Sequence, residues 1–143
     1  MFEEDRIAKE VVDVAVKVHK HFGPGVYESV YEPVLIHDLR KRNLETRNQI
    51  PVPLVYDGIK FDVGFTMDVL VGELVILELK SVEKLERVHF KQLLTYLRLT
   101  GLRLGLLMNF GETLLKKWHP PGCKRPVLLT FASLRLGVRF FLT

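Results

Sequence analysis

Two short apolar segments, separated by a stretch long enough to form a helix, most strongly limit the folds open to this chain. Residues 74–79 are apolar except for Glu78, and residues 102–110 form a second, largely apolar run. Between them a helical pattern covers about residues 84–100 and stops at Gly101. A strand–helix–strand order with a crossover of this length favours a parallel pair of strands with a right-handed connection. The sequence therefore predicts an α/β fold with a mixed central β-sheet flanked by α-helices.

The first third of the chain has the apolar spacing of two amphipathic helices. Apolar residues recur at helical spacing from about residue 4 to 21, and again from about residue 27 to 39. The segment Gly23-Pro24-Gly25 between them predicts a turn. Pro33 lies within the second pattern, so we expect it to bend the helix or to break it locally.

From about residue 46 to 81 the apolar residues follow the period of β-strands. The alternation over residues 49–54 includes Pro51 and Pro53, and two prolines in one strand imply an edge strand. Asp57-Gly58 predicts a hairpin turn, and the alternation over residues 59–67 predicts the returning strand. Gly72-Glu73 marks a further reversal before the apolar strand at residues 74–79.

Composition limits the chain to one domain and to few kinds of metal site. The 143 residues, 48% of them hydrophobic, fit a single globular domain of common size. Cys123 is the one cysteine, which excludes an intrachain disulfide and a multi-cysteine zinc site. No apolar run approaches the roughly 20 residues of a membrane span, so we expect a soluble, cytoplasmic protein without a membrane partner. The formal net charge of +4 suits a polyanionic partner but does not identify one.

The apolar strand that ends near residue 81 carries two charged residues on one face. Glu78 and Lys80 are two positions apart, so their side chains project from the same side of the strand. Asp68 belongs to the preceding strand. A two-residue loop at Gly72 would turn Asp68 away from Glu78, whereas a three-residue loop would place residue 68 opposite residue 78 and bring the carboxylates together. We expect the odd-length loop or an equivalent bulge.

Two facing carboxylates beside a lysine are the groups that a magnesium site uses. Oxygen ligands hold the cation, which activates water and neutralises a phosphate, while lysine orients the nucleophile or offsets charge in the transition state. The alternative is a salt bridge between Glu78 and Lys80 at a strand end, with Asp68 capping a turn. An isolated acid-x-Lys pair is most often of this second kind. The apolar strand, the acid ten positions earlier, and Gln92 and Tyr96 on the following helix favour the metal site.

Four ordered motifs resemble a known group of nucleases. Asp68, Glu78-Leu79-Lys80 and the helix motif Gln92-x-x-x-Tyr96 resemble the PD-(D/E)XK nuclease superfamily, the last motif being similar to that of its RecB-like branch. The segment Gly25-Val26-Tyr27-Glu28-Ser29-Val30-Tyr31 is similar to the signature of the GxxExxY protein family, and the similarity covers about residues 4–118, including Asn109-Phe110-Gly111. The resemblance implies a restriction-endonuclease-like fold and divalent-metal hydrolysis of phosphodiester bonds.

The resemblance also implies roles for the matching residues of the strands and of the second helix. Asp68 and Glu78 would be metal ligands, with the Leu79 carbonyl as a further ligand. Lys80 would position the attacking water. Glu28 would add a carboxylate from the second helix, either directly on the metal or through water.

The helix after the apolar strand would support this site. Gln92 and Tyr96 are four residues apart and can lie along one helix face, so they would hold the phosphate strand or brace the metal ligands. A helix face that packs on the sheet, with polar tips in solvent, is the equally weighted alternative. Tyr31 is three residues from Glu28 and is more typical of a core aromatic residue.

The implied protein is a Mg²⁺- or Mn²⁺-dependent nuclease that acts on DNA. The alternative is a catalytically inactive member of the same fold that binds nucleic acid or a protein partner, and a weaker one is a dimerisation module. Basic residues at 40–42, 47, 116, 117, 124 and 125 would contact phosphates, although the first cluster also fits a helix terminus that faces water.

The last residues depart from the family pattern. We expect a nuclease-like domain at residues 1–126 and a C-terminal extension at residues 127–143. Apolar and polar residues alternate in the extension, which is consistent with an added strand that covers a sheet edge or pairs with a second subunit in a homodimer. A poorly ordered tail is the other interpretation.

Overall fold

The chain forms three helices and nine strands within the residues that the structure describes. The structure, a computed structural model, describes residues 2–62 and 64–112 together with the backbone of three short strands beyond them. The helices are α1 (Glu3–Phe22), α2 (Glu28–Lys41) and α3 (Arg87–Thr100). The strands are β1 (Thr46–Pro51), β2 (Leu54–Tyr56), β3 (Ile59–Phe61), β4 (Thr66–Val71), β5 (Val75–Lys80), β6 (Leu104–Asn109), β7 (Lys117–Trp118), β8 (Val127–Leu128) and β9 (Phe131–Arg135).

Five of these strands form one mixed sheet in the order β1-β4-β5-β6-β9. β5 and β6 are parallel and are connected through α3, as the strand–helix–strand pattern predicts, while the other neighbours are antiparallel. β1 lies at an edge of the sheet, as predicted, but it contains only the first of the two prolines, because it ends at Pro51 and Pro53 lies between β1 and β2. The prediction of a mixed central sheet flanked by helices is confirmed.

Each face of the sheet is covered by helices because the strand side chains alternate. The face with Val69, Leu77 and Leu79 packs against α1 and α2. The opposite face, with Leu70 and Ile76, packs against α3. The apolar residues that recur at helical spacing in the sequence are therefore the ones that pack against the sheet.

The segment between β1 and β4 differs from the sequence prediction. The Asp57-Gly58 turn joins β2 and β3 in a separate two-stranded sheet, so the hairpin itself is confirmed. The single strand predicted for residues 59–67 is wrong, because the chain leaves the ladder after Phe61 and enters the main sheet at Thr66. Gly64, with φ of 77°, lies in this interruption, in a left-handed conformation that ends the alternation of faces.

Pro33 does not break the second helix. The helix α2 runs without interruption from Glu28 to Lys41 and includes Pro33 at its sixth position. Proline lacks the N–H that would bond to the carbonyl of Ser29 four residues earlier, so α2 has one hydrogen bond fewer near its start. Glu28, one turn before Pro33, is therefore part of a regular helix.

The predicted boundary at residue 126 lies outside the described residues. The backbone of β9 pairs antiparallel with β6 along the edge of the main sheet. The side chains of the basic residues at 116, 117, 124 and 125 lie outside the described part as well. Among the described residues, no helix is both long and apolar enough to cross a membrane.

A buried asparagine holds the ends of the two parallel strands together. Asn109, 1% exposed, is the last residue of β6. Its Oδ1 accepts hydrogen bonds from the backbone N–H groups of Val82 and Gly111, both at 3.0 Å. Its Nδ2 donates to the Val82 carbonyl at 2.9 Å and to Glu112 Oε1 at 3.3 Å. The segment that follows β5 is thereby fixed to the segment that follows β6.

We expect Asn109→Ala to lower the free energy of unfolding by about 2 kcal/mol, because the partly buried backbone groups of Val82 and Gly111 would lose their hydrogen-bond partner. Urea unfolding followed by circular dichroism measures the change. Asn48→Ala is the matched control, since Asn48 is exposed and we expect a loss below about 1 kcal/mol there. Equal losses in the two variants would contradict this role for Asn109.

Candidate functional site

The loop between β4 and β5 brings two carboxylates face to face. The paired residues are Val71 with Val75, Leu70 with Ile76, and Val69 with Leu77. Residues 72–74 therefore form a three-residue loop, in which Gly72 and Glu73 both have φ of 58°. The next position along the two strands places Asp68 opposite Glu78. The predicted odd-length loop is confirmed.

Side chains replace the backbone ladder at this position. The regular pairs of β4 and β5 end at Val69 and Leu77. Beyond them the Asp68 N–H donates to Glu78 Oε1 at 3.3 Å, and the Leu79 N–H donates to Asp68 Oδ2 at 2.8 Å. Each carboxylate thus accepts a backbone hydrogen bond from the opposite strand. The two acids therefore connect the strands where the backbone pairs end.

The two carboxylates lie in surroundings that disfavour a double negative charge. Glu78 is 2% exposed, and burial together with the neighbouring Asp68 raises the pKa of Glu78 to about 8. Burial also raises the pKa of Asp68, and the bond from the Leu79 N–H opposes that rise. Contact between the two carboxyl groups favours the protonated form of Glu78. In the absence of a cation, therefore, a proton on Glu78 offsets part of the charge of the pair.

Lys80 follows Glu78 on the same face of β5. It is partly exposed, and its positive charge lowers the pKa of both Asp68 and Glu78. In the described part of the chain no salt bridge joins Lys80 to Glu78, so the simple strand-end ion pair considered from the sequence is not formed. The ammonium group thus acts on the acids from a distance.

The turn before α2 docks against the end of β5. Ser81 Oγ donates to the Val26 carbonyl at 2.7 Å, and the Ser81 N–H donates to Glu28 Oε1 at 3.0 Å. Tyr31 is fully buried, stacks on Phe110 with ring centroids 4.0 Å apart, and donates its hydroxyl to the Gly23 carbonyl. Tyr31 is a core aromatic residue, as expected.

Glu28 thereby reaches the same end of the sheet as the paired acids. Its charge adds to the effect of burial, which raises the pKa of Asp68. Its hydrogen bond to Ser81 nevertheless shows a second use for this carboxylate, because it holds the segment that follows Lys80. The assignment of Glu28 as a metal ligand stays a prediction.

The two polar residues of α3 interact with each other beside the acids. Gln92 Nε2 donates to the Tyr96 hydroxyl at 2.9 Å. Tyr96 is 2% exposed, its ring packs edge-on against Phe65 at 6.1 Å, and its pKa is raised by burial and by the charges of Glu78 and Asp68. The expected common helix face is therefore present and faces the acids. Tyr96 therefore packs against the sheet and also lies close to the two carboxylates.

Glu32 is a further acid near the site that the sequence did not single out. It lies one helical turn after Glu28 and accepts hydrogen bonds from Asn48 Nδ2 and Gln49 Nε2, both at 2.9 Å. Its charge raises the pKa of Asp68. The spacing of four from Glu28 was the available signal, and it is a weak one, because such pairs are common on solvated helix faces.

The donor set fits a divalent cation at two of the predicted ligands. Among the described residues no three His, Cys, Asp or Glu side chains cluster as a complete metal site. The fit rests on Asp68 and Glu78, whose oxygen ligands are of the kind that Mg²⁺ and Mn²⁺ prefer. A cation between these carboxylates would take over the role of the proton that Glu78 retains at neutral pH.

Comparison with known proteins identifies one family. The family model described as PD-(D/E)XK nuclease superfamily matches residues 5–120. Searches of curated proteins and of solved structures find no match. The matched range contains every one of the predicted site residues.

The stability of the metal-free protein should depend on pH through Glu78. A carboxyl group whose pKa rises from 4.5 to about 8 on folding binds its proton more tightly in the folded state. Its contribution to stability is therefore fully present below pH 4.5 and is lost as the pH rises toward 8. We expect Glu78→Gln, which cannot ionise, to raise the melting temperature at pH 8 by about 5–10 °C and to have little effect at pH 5.

Thermal unfolding in EDTA at both pH values measures this difference. Glu83→Gln is the control, because Glu83 is exposed and has the same change of charge. If Glu78→Gln is no more stable than the wild type at pH 8, ionisation of Glu78 does not destabilise the folded protein and the prediction is contradicted.

Proposed function

The chain belongs to the PD-(D/E)XK nuclease superfamily, and we propose that it is a divalent-metal-dependent nuclease that hydrolyses phosphodiester bonds of DNA. One observation carries this proposal: Asp68 and Glu78 face each other at the end of two strands, with Lys80 on the same face of β5. The similarity of residues 25–31 to the GxxExxY signature, and of Gln92 and Tyr96 to the RecB-like motif, supports a finer placement within the superfamily.

Asp68 and Glu78 would hold the metal, which we propose to be Mg²⁺ or Mn²⁺, and the Leu79 carbonyl would be a further ligand. When bound, such a cation lowers the pKa of water and offsets the negative charge of the phosphate. The hydrogen bonds that Asp68 and Glu78 accept from the backbone orient their oxygens before a ligand arrives. A rigid pair of this kind is preorganised for a cation.

Lys80 would position the attacking water and offset charge on the phosphate in the transition state. Its side chain is partly exposed, whereas Glu78 on the same face is buried, so substrate can reach the lysine. The Lys80 carbonyl accepts a hydrogen bond from the Phe110 N–H at 2.8 Å. The backbone of the lysine is thus fixed by β6.

Gln92 and Tyr96 would act on the substrate strand from α3. The Tyr96 hydroxyl accepts the hydrogen bond of Gln92 and is buried beside the acids, so it suits a positioning role. Gln92 is partly exposed and suits contact with a phosphate. Both would hold the strand or the ligands in place without taking part in bond cleavage.

Labelled single- and double-stranded DNA is the substrate that tests the activity. We expect cleavage that requires Mg²⁺ or Mn²⁺ and that falls by about 100-fold or more in Glu78→Ala and in Lys80→Ala, because each change removes a group that acts on the reacting atoms. Lys84→Ala and Glu83→Ala, which change exposed residues with the same charges, should retain wild-type rates. Release of labelled products on a denaturing gel measures the rates.

The proposal is contradicted if activity persists unchanged in both Glu78→Ala and Lys80→Ala. If the chain binds DNA but cleaves it with neither Mg²⁺ nor Mn²⁺, the alternative of a catalytically inactive nucleic-acid-binding protein of the same fold is favoured.

Glu28 would contribute its charge to metal binding, directly or through water. We expect Glu28→Gln to keep the hydrogen bond from the Ser81 N–H, and therefore the fold, while the Mn²⁺ concentration for half-maximal cleavage rises about tenfold. A metal titration of the cleavage rate, with Glu83→Gln as control, measures this shift. If the Mn²⁺ concentration for half-maximal cleavage is unchanged in Glu28→Gln, Glu28 does not contribute to metal binding and its role is the hydrogen bond to Ser81.

A further inference from the structure

A cavity of about 800 Å³ lies between α2 and the edge strand β1, beside the carboxylate pair and separate from it. We name it the α2–β1 cavity and define it by six of its lining residues. They are Glu32, Ile36, Arg40, Lys41, Asn48 and Gln49. Cavities of this size accommodate ligands as large as one or two nucleotides.

The walls of this cavity are fixed by hydrogen bonds between α2 and β1. Glu32 accepts a hydrogen bond from Asn48 Nδ2 and another from Gln49 Nε2, each 2.9 Å long. Arg40 Nε donates to Thr46 Oγ1 at 2.8 Å, and Arg40 Nη2 donates to the Thr46 carbonyl at 3.3 Å. The cavity therefore exists before any ligand binds, which lowers the cost of binding.

The basic residues near the end of α2 divide into two groups. Arg42 forms a salt bridge to Glu10 at 2.7 Å, and Arg47 forms one to Glu73 at 2.6 Å. Arg40 and Lys41 line the cavity, and within residues 2–62 and 64–112 neither forms a salt bridge to a carboxylate. Two positive charges without an ion-pair partner thus lie at one end of the cavity, and the carboxylate of Glu32 lies nearer its other end.

The opposite end of the cavity adjoins the carboxylate pair. In the β1–β4 register Asn48 pairs with Val69 and Ile50 with Met67, so Gln49 and Asp68 lie between these two pairs on adjacent strands. The cavity therefore begins one strand away from the proposed metal ligands.

The length of the cavity matches a short piece of a nucleic-acid strand. Glu32 and Lys41 are nine residues apart on α2, which corresponds to about 13–14 Å along the helix axis. Successive nucleotides of one strand rise by at least about 3.4 Å, so this distance has room for the one or two nucleotides that the cavity volume allows. The end at Glu32 offers amide and carboxylate oxygens that suit the amino groups of bases, whereas the end at Lys41 suits phosphates.

We propose that the α2–β1 cavity binds the nucleotides of the substrate strand next to the scissile phosphate, with their phosphates on Arg40 and Lys41. This inference rests on the proposed nuclease function and adds a binding site to it. The strand passes from the carboxylate pair over Gln49 and along α2. Arg42 and Arg47, already paired with acids, take no part.

Binding of a fluorescein-labelled single-stranded DNA to the full chain tests this site. The Asp68→Asn variant serves as the background so that the DNA stays intact, and fluorescence anisotropy gives the affinity at several salt concentrations. We expect Lys41→Ala to weaken binding by about 5–10-fold at 50 mM salt and to reduce the slope of log K against log salt by about 0.7, the value for one lost phosphate contact on a single strand.

Arg42→Ala is the matched control, because it removes the same charge at the adjacent position of the same helix end. We expect it to change the affinity less than twofold and to leave the salt slope unchanged. Lys41→Glu is a second variant on the cavity, and we expect it to weaken binding more than Lys41→Ala. Melting temperatures of all variants show that each is folded.

The outcomes separate this inference from the proposed function. If the wild-type chain cleaves DNA but Lys41→Ala and Arg42→Ala bind it equally well, the cavity proposal is overturned and the nuclease proposal stands. If Lys41→Ala alone weakens binding while the wild-type chain fails to cleave, the cavity proposal stands and the nuclease proposal fails. Full displacement of the labelled DNA by AMP at the same molar concentration would overturn it in favour of a small-ligand site.

Discussion

The three-residue loop at residues 72–74 is the constraint on which the rest of the site depends. Because side chains alternate along a strand, a loop one residue shorter would move Asp68 to the other face of the sheet from Glu78. The observed register places the two acids opposite each other and ends the backbone ladder there. There each carboxylate accepts a hydrogen bond from a backbone N–H group of the other strand. The charge repulsion at this point is the feature that a cation would relieve.

The surrounding elements hold this pair in place from three sides. Ser81 connects the end of β5 to the turn and the first residue of α2. Asn109 connects the same segment to the end of β6. Tyr96 of α3 is buried beside the pair and accepts a hydrogen bond from Gln92. Two residues of the motif segments, Glu28 and Asn109, thus fix the segment that follows β5.

Local patterns predicted the helices and the central strands, but they left two loop lengths open at Gly72. The odd-length loop followed from the need to place Asp68 and Glu78 together, and the helices followed from their apolar period. The interruption between Phe61 and Thr66 was missed, since alternation continues through Gly64 although its backbone is left-handed. The position of Glu32 was missed because its amide partners on β1 are 16 and 17 residues away in the chain. Contacts of this kind depend on how α2 packs against β1, which no local pattern encodes.

The proposed function depends most on the binding of one divalent cation by Asp68 and Glu78 together. Titration of the chain with Mn²⁺, followed by the electron paramagnetic resonance signal of the free ion, tests this binding without any substrate. We expect one bound Mn²⁺ per chain in the wild type and in Glu83→Gln, and an affinity at least about tenfold weaker in both Asp68→Asn and Glu78→Gln. Equal Mn²⁺ affinity in all four proteins would contradict it.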